Sequence, residues 1–88
     1  MQKGLYSRER EAFRALLKQV RLTAGLTQIE LSTKLKRPQS YVSDYERGHR
    51  RLDWVAVAEV LRVCNCELVE FAAQYTSEVQ IKKRPHPR

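Results

Sequence analysis

Gln39, Ser40, Ser43 and Asp44 are the residues of this chain with the clearest chemistry to do. On a helix they stand at i, i+1, i+4 and i+5, which gathers them on one polar face, opposite Val42 and Tyr45. An amide, two hydroxyls and a carboxylate in that array suit the edges of base pairs. Glutamine pairs bidentately with adenine, serine donates or accepts, and aspartate accepts from the cytosine amino group. Such a face is useful only if its helix enters the major groove, which is about one helix wide. These four are therefore the candidate base-contacting set.

Cations flank them. Lys36 and Arg37 come just before, Arg47 just after, and Arg50 and Arg51 follow His49 in a basic loop. Guanidinium and ammonium groups beside a base-reading helix hold the sugar-phosphate backbone. Gln28 opens the preceding helix, where free backbone N–H groups favour a phosphate. Lys36, Arg37, Arg47, Arg50, Arg51 and Gln28 are the candidate phosphate contacts. The bland alternative makes Gln39 and Ser43 ordinary solvent-exposed residues; the capping signals, glycines and arginine loop around them weigh against it.

Helices must position these side chains, and the spacing of apolar residues supplies them. Phe13, Leu16, Leu17 and Val20 recur at i, i+3, i+4 and i+7. That predicts a helix from a Ser7 cap to about Ala24, closed by Gly25 in a positive-φ position. Thr27-x-x-Glu30 is a capping box for a second helix, with Leu31 and Leu35 inward and Ser32 small enough to admit a close neighbour. Pro38 breaks that helix and predicts a third one starting at Pro38 or Gln39 and ending at Gly48. Asp53 caps a fourth, with Leu52, Val55, Ala58 and Leu61 inward and Asn65 as a left-handed terminator. Glu67 to about Tyr75 makes a short fifth helix, with Leu68, Phe71 and Ala72 apolar. No strand is predicted, since the Val79-Gln80-Ile81 alternation is too short. The fold class is all-α: a five-helix bundle containing a helix-turn-helix, with residues 1–76 as one DNA-binding domain. Residues 77–88 form a basic C-terminal tail expected to fray.

Composition narrows the functional classes. The chain has 88 residues, 17 Lys and Arg against 10 Asp and Glu, and a net charge of +7. A surplus of that size attracts polyanions. The longest apolar run, Trp54 to Ala58, is far short of a bilayer span, and the N-terminal stretch lacks a secretory apolar core. A cytoplasmic, nucleoid-associated protein is expected, with no membrane partner. Cys64 and Cys66 have a C-x-C spacing with no second pair, so they are expected as reduced core thiols rather than zinc ligands. No nucleophile–base pairing and no phosphate-cradling glycine loop is legible, so no catalytic residue, metal or cofactor is assigned.

The string Leu22, Ala24-Gly25-Leu26-Thr27-Gln28, Glu30-Leu31, then Pro38-Gln39-Ser40-Tyr41-Val42-Ser43, Tyr45-Glu46, Gly48 and Arg50-Arg51-Leu52-Asp53 resembles the Cro and phage-repressor type of helix-turn-helix regulator. This is the xenobiotic-response-element (XRE) family. The resemblance covers residues 16 to 74. It implies a five-helix bundle with the third helix in the major groove, Gln28 on phosphate, and Gln39, Ser40, Ser43 and Asp44 facing bases. It also implies that Arg21 pairs with Glu46 beneath the recognition helix. Two positions depart from the pattern: Lys36 stands where the turn usually holds glycine, and Asp44 where relatives often carry a basic or neutral residue.

The leading expectation is a sequence-specific regulator of transcription, a repressor, binding double-stranded DNA as a homodimer. Leu68, Phe71, Tyr75 and Val79 are the expected dimer surface. Two other readings compete: the antitoxin of a toxin–antitoxin pair, autoregulating its operon with a toxin as partner protein, and a module that binds protein or RNA without reading DNA sequence.

Overall fold

The computed structural model describes the backbone of residues 3–83 and the side chains of residues 8–79. Five helices follow one another: α1 (Lys3–Thr23), α2 (Gln28–Lys34), α3 (Tyr41–Glu46), α4 (Trp54–Val63) and α5 (Leu68–Lys83). No strand occurs among the described residues. The all-α bundle expected from the periodicity is the one observed.

Four of the helices stop in the same way. At the end of α1 the Leu26 N–H reaches the Arg21 carbonyl and the Gly25 N–H the Leu22 carbonyl, at 3.2 and 2.9 Å. The same paired bonds recur after α2 at Arg37 and Lys36, after α3 at His49 and Gly48, and after α4 at Cys66 and Asn65. Each pair satisfies carbonyls that a helix end leaves without partners, and each needs a left-handed residue at the first position past the cap. Gly25, Lys36, Gly48 and Asn65 supply it, with φ of 77°, 59°, 86° and 62°. Lys36 thus adopts the glycine-like conformation rather than reshaping the turn.

Three boundaries differ from expectation. Helix α1 begins at Lys3, so Ser7 lies within it rather than at its start. Helix α3 begins at Tyr41, because Pro38 to Tyr41 closes as a tight turn, Tyr41 N–H to Pro38 carbonyl at 2.9 Å. Helix α5 runs to Lys83 instead of stopping near Tyr75. Between Tyr75 and Pro85 the chain holds no glycine or proline, so nothing ends the helix until the steric demand of Pro85 approaches. The remainder of the predicted tail, residues 84–88, lies outside the described residues.

The core is formed by Leu17 of α1, Leu31 and Leu35 at α2, Tyr41, Val42 and Tyr45 of α3, Val57, Val60 and Leu61 of α4, Cys64, and Phe71 of α5. In α4 the inward set is therefore Val57, Val60, Leu61 and Cys64. Val55, expected inward, is 73% exposed, and its neighbour Trp54 is 66% exposed. Asp53 caps α4 as expected, accepting from Ala56 N–H at 2.8 Å, and this places Trp54 and Val55 on the outer turn.

The expected dimer surface is used in part within the chain. Phe71 is buried, Leu68 packs against the core, and the Phe13 ring meets Phe71 and Tyr75 edge-on, with centroids 6.0 and 6.4 Å away. Helix α1 is long enough to cover the apolar stripe of α5. Of the four, only Phe71 is withdrawn from the surface; Leu68, Tyr75 and Val79 stay half-buried. Cys64 is buried, Cys66 is half-buried, and both are free thiols.

Candidate nucleic-acid interface

Helix α3 has only six residues. A helix that short is not stable by itself, so its place depends on what grips it. Three contacts do so. Val42 and Tyr45 are buried in the core. The Ser32 hydroxyl, fully buried on α2, accepts from the Val42 N–H at 3.2 Å. Ser40 occupies the cap position of α3 but makes no side-chain cap bond. Ser32 thus serves from another helix as the acceptor that a first-turn N–H requires. Its smallness was legible in the sequence, whereas its bond across ten residues was not.

The third contact is ionic. Arg21 Nε donates to Glu46 Oε2 at 2.7 Å and Nη2 donates to Oε1 at 3.1 Å. Arg21 Nη1 also donates to the Leu26 carbonyl at 2.8 Å. Both side chains are withdrawn from solvent, 7% and 4% exposed. The hydrogen bond to Glu46 is the main cause holding the Arg21 pKa above its ordinary value, against the opposing cost of burial. The pair implied by the family resemblance is therefore present, and it locks the end of α3 to α1.

Gln28 joins this network. Its side-chain amide donates to Glu46 Oε1 at 2.9 Å. The residue expected on phosphate is thus half-buried and ties α2 to α3, with one hydrogen of its side-chain amide left to offer outward. Thr27 and Glu30 form the expected capping box in front of it, with reciprocal bonds of 3.0 and 2.9 Å.

With Val42, Tyr45 and Glu46 held inward, the intervening positions turn out. Ser43 and Asp44 are half-buried, while Gln39 and Ser40 are exposed on the turn that leads into α3 rather than on the helix itself. Ser43 donates its hydroxyl hydrogen to the Ser40 carbonyl at 3.1 Å. Asp44 leans on Arg47 at 3.5 Å, so the outward carboxylate is partly offset by a neighbouring cation.

The cations divide into two groups. The Arg37 and Arg50 guanidinium carbons lie 5.0 and 5.2 Å from the centre of the buried Tyr41 ring, within cation–π range. Arg37 also reaches Glu59 at 3.3 Å. Arg37, Tyr41, Arg50 and Arg51 line a common depression of about 270 Å3. The Tyr41 ring thus orients two of the arginines. Arg37 four positions before Tyr41 was the available signal. Lys36 and Arg47 do not line that depression: Lys36 is exposed just past α2, and Arg47 caps α3.

An outward polar strip on an anchored short helix, preceded by a bracing helix and flanked by arginines, defines a helix-turn-helix. A family model for the helix-turn-helix domain matches residues 12–74, more than two thirds of the chain. The chain belongs to that family, whose members are DNA-binding regulators of transcription, and the Cro and phage-repressor resemblance agrees with it. Among solved structures, the wild-type restriction-modification controller protein C.Esp1396I matches with a TM-score of 0.73 at 24% identity, covering 81% of this chain and 93% of its own. The clp gene regulator ClgR from Corynebacterium glutamicum matches with a TM-score of 0.73 at 22% identity, covering 86% and 81%. At those identities the likeness is one of fold. No curated protein matches the sequence. Among the described residues no group of His, Cys, Asp or Glu is placed to hold a metal, and no helix is long and apolar enough to cross a membrane.

Proposed function

We propose that this protein is a sequence-specific repressor that sets α3 and the turn before it into the major groove of double-stranded DNA. The observation that supports this best is the triple anchoring of α3. Core packing, the Ser32 bond and the Arg21–Glu46 pair all hold it from behind, leaving Gln39, Ser40, Ser43 and Asp44 outward. Gln39 and Ser40, on the lead-in turn, reach base edges from the N-terminal end of the helix, where recognition helices make such contacts. Arg37, Arg50 and Arg51 hold phosphates on one side, with Lys36 and Arg47 adding charge. Gln28 contributes chiefly by orienting Glu46.

Repression follows from occupancy of a promoter, and the two regulators similar in fold are named as controllers of a restriction-modification system and of clp genes. One such helix reads few base pairs, so a homodimer on a near-palindromic site, with half-sites ~34–36 Å apart, is part of the proposal. Leu68, Tyr75 and Val79 of α5, each only half-buried, and the neighbouring Val69 at 77% exposure are the apolar side chains on which that dimer draws. Selection of bound sequences from a random duplex library tests the whole reading. A two-fold symmetric site is expected, preferred over random duplex by ~4–10 kcal/mol. Recovery of no enriched sequence would remove base reading from the proposal.

A further inference from the structure

Behind α3, on the side facing α1, lies a cavity of about 200 Å3. Arg10 and Arg14 of α1 and Arg50 and Arg51 of the loop after α3 all line it, together with Phe13 and Tyr45. None of its lining residues is acidic. Tyr45 is 2% exposed, and its buried hydroxyl has no hydrogen-bond partner among the described residues. A buried donor without an acceptor is costly and rare in native proteins. Burial also raises the Tyr45 pKa well above its ordinary value, so the group stays protonated and can donate.

The Arg14 guanidinium lies against Gly48, where a Cβ would come within 3.2 Å of it; glycine at that position, with φ of 86°, lets the guanidinium lie this close to the backbone. Four arginines lining one cavity with a free phenolic donor select an oxyanion. The Phe13 ring selects a planar apolar body beside it. A cavity of ~150 Å3 holds benzene, so this one suits a ring bearing one carboxylate.

Arg50 and Arg51 line both this cavity and the depression assigned above to phosphates. We infer that the cavity is an effector site for a small aromatic carboxylate, whose binding draws Arg50 and Arg51 away from the DNA backbone. The regulatory half of this inference rests on the DNA reading proposed above, but the site itself does not.

The test begins without DNA. The full chain is titrated with benzoate, with its neutral isostere benzamide, and with acetate, following amide shifts of Gly48 and Tyr45 by NMR. Saturable benzoate binding in the millimolar range is expected for a ligand of about nine heavy atoms. Benzamide and acetate should each bind at least about tenfold more weakly. Tyr45→Phe keeps the fold, because it removes only an unpartnered hydroxyl, and should weaken benzoate about tenfold, as should Arg14→Leu. Arg62→Gln, on the exposed end of α4, should change nothing. Absence of saturation, equal binding of benzamide, or unchanged affinity in both cavity variants would overturn the site and leave the DNA reading intact. In a second arm, duplex affinity is measured with saturating benzoate and with chloride at matched ionic strength. Benzoate should weaken duplex binding and lower its salt slope by up to about two units. Unchanged duplex binding would overturn the regulatory half. Failure of the protein to bind any duplex would instead count against the DNA reading, while the titration still decides the site.

Discussion

Arg21→Met is expected to be among the most damaging single substitutions outside the apolar core. It leaves the Glu46 carboxylate 4% exposed, with only the Gln28 amide still bonded to it. Removing one partner of a buried, hydrogen-bonded pair costs ~3–5 kcal/mol, because the other charge stays desolvated. At ~0.05–0.15 kcal/mol per residue the whole domain is stable by only about 4–13 kcal/mol. A loss of that size lowers Tm by about 15–30 °C in a domain of this length. Glu46→Leu should cost a similar amount, since it strands Arg21 on the Leu26 carbonyl alone. The double variant Arg21→Met/Glu46→Leu is the informative one. It removes both charges and restores apolar volume, leaving only the Leu26 carbonyl and a half-exposed Gln28 amide to seek water. Its expected cost is ~0–2 kcal/mol, well below the sum of the singles. Urea unfolding followed by circular dichroism at two salt concentrations gives all four corners of the cycle. The coupling should survive added salt, because a buried pair is little screened. Single variants that each lose less than ~1 kcal/mol, with a double that simply adds them, would show that the pair behaves as an exposed one and does not hold α3.

Three other outcomes follow from the same geometry. Ser32→Ala should destabilise the fold by ~1–2 kcal/mol, since it removes the acceptor for the Val42 N–H where no water reaches; a change within error in urea titrations would assign that N–H no dependence on Ser32. Lys36→Gly should raise stability by up to ~1 kcal/mol, because a left-handed φ costs a side-chain residue ~1–2 kcal/mol and glycine returns part of that as unfolded-state entropy; a lower Tm would contradict the strain assigned to this turn. Stability should also fall as the pH rises above about 9. Burial raises the pKa of Cys64, Cys66 and Tyr45 in the fold, so the unfolded chain loses these protons first and alkali favours it. Tyr45→Phe should flatten the part of that decline above about pH 10, and an equally steep decline would place its source elsewhere.

The local pattern of the chain carried much of this protein. Apolar residues at helical spacing placed five helices, the Thr27–Glu30 box opened α2, and Gly25, Gly48 and Asn65 marked three helix ends, because each depends only on a few neighbouring residues. The polar strip of Gln39, Ser40, Ser43 and Asp44 and the flanking arginines were visible for the same reason. What tertiary structure decided was where those pieces meet. Val57 rather than Val55 faces the core, and Phe71 and Tyr75 meet Phe13, because a long α1 was there to cover them. Gln28 serves Glu46, Ser32 caps a helix other than its own, and Arg10 and Arg14 line one cavity with Arg50 and Arg51 across more than thirty residues of sequence. Periodicity reports which face of a helix is apolar; it carries no information on which distant partner will bury that face or satisfy a given donor.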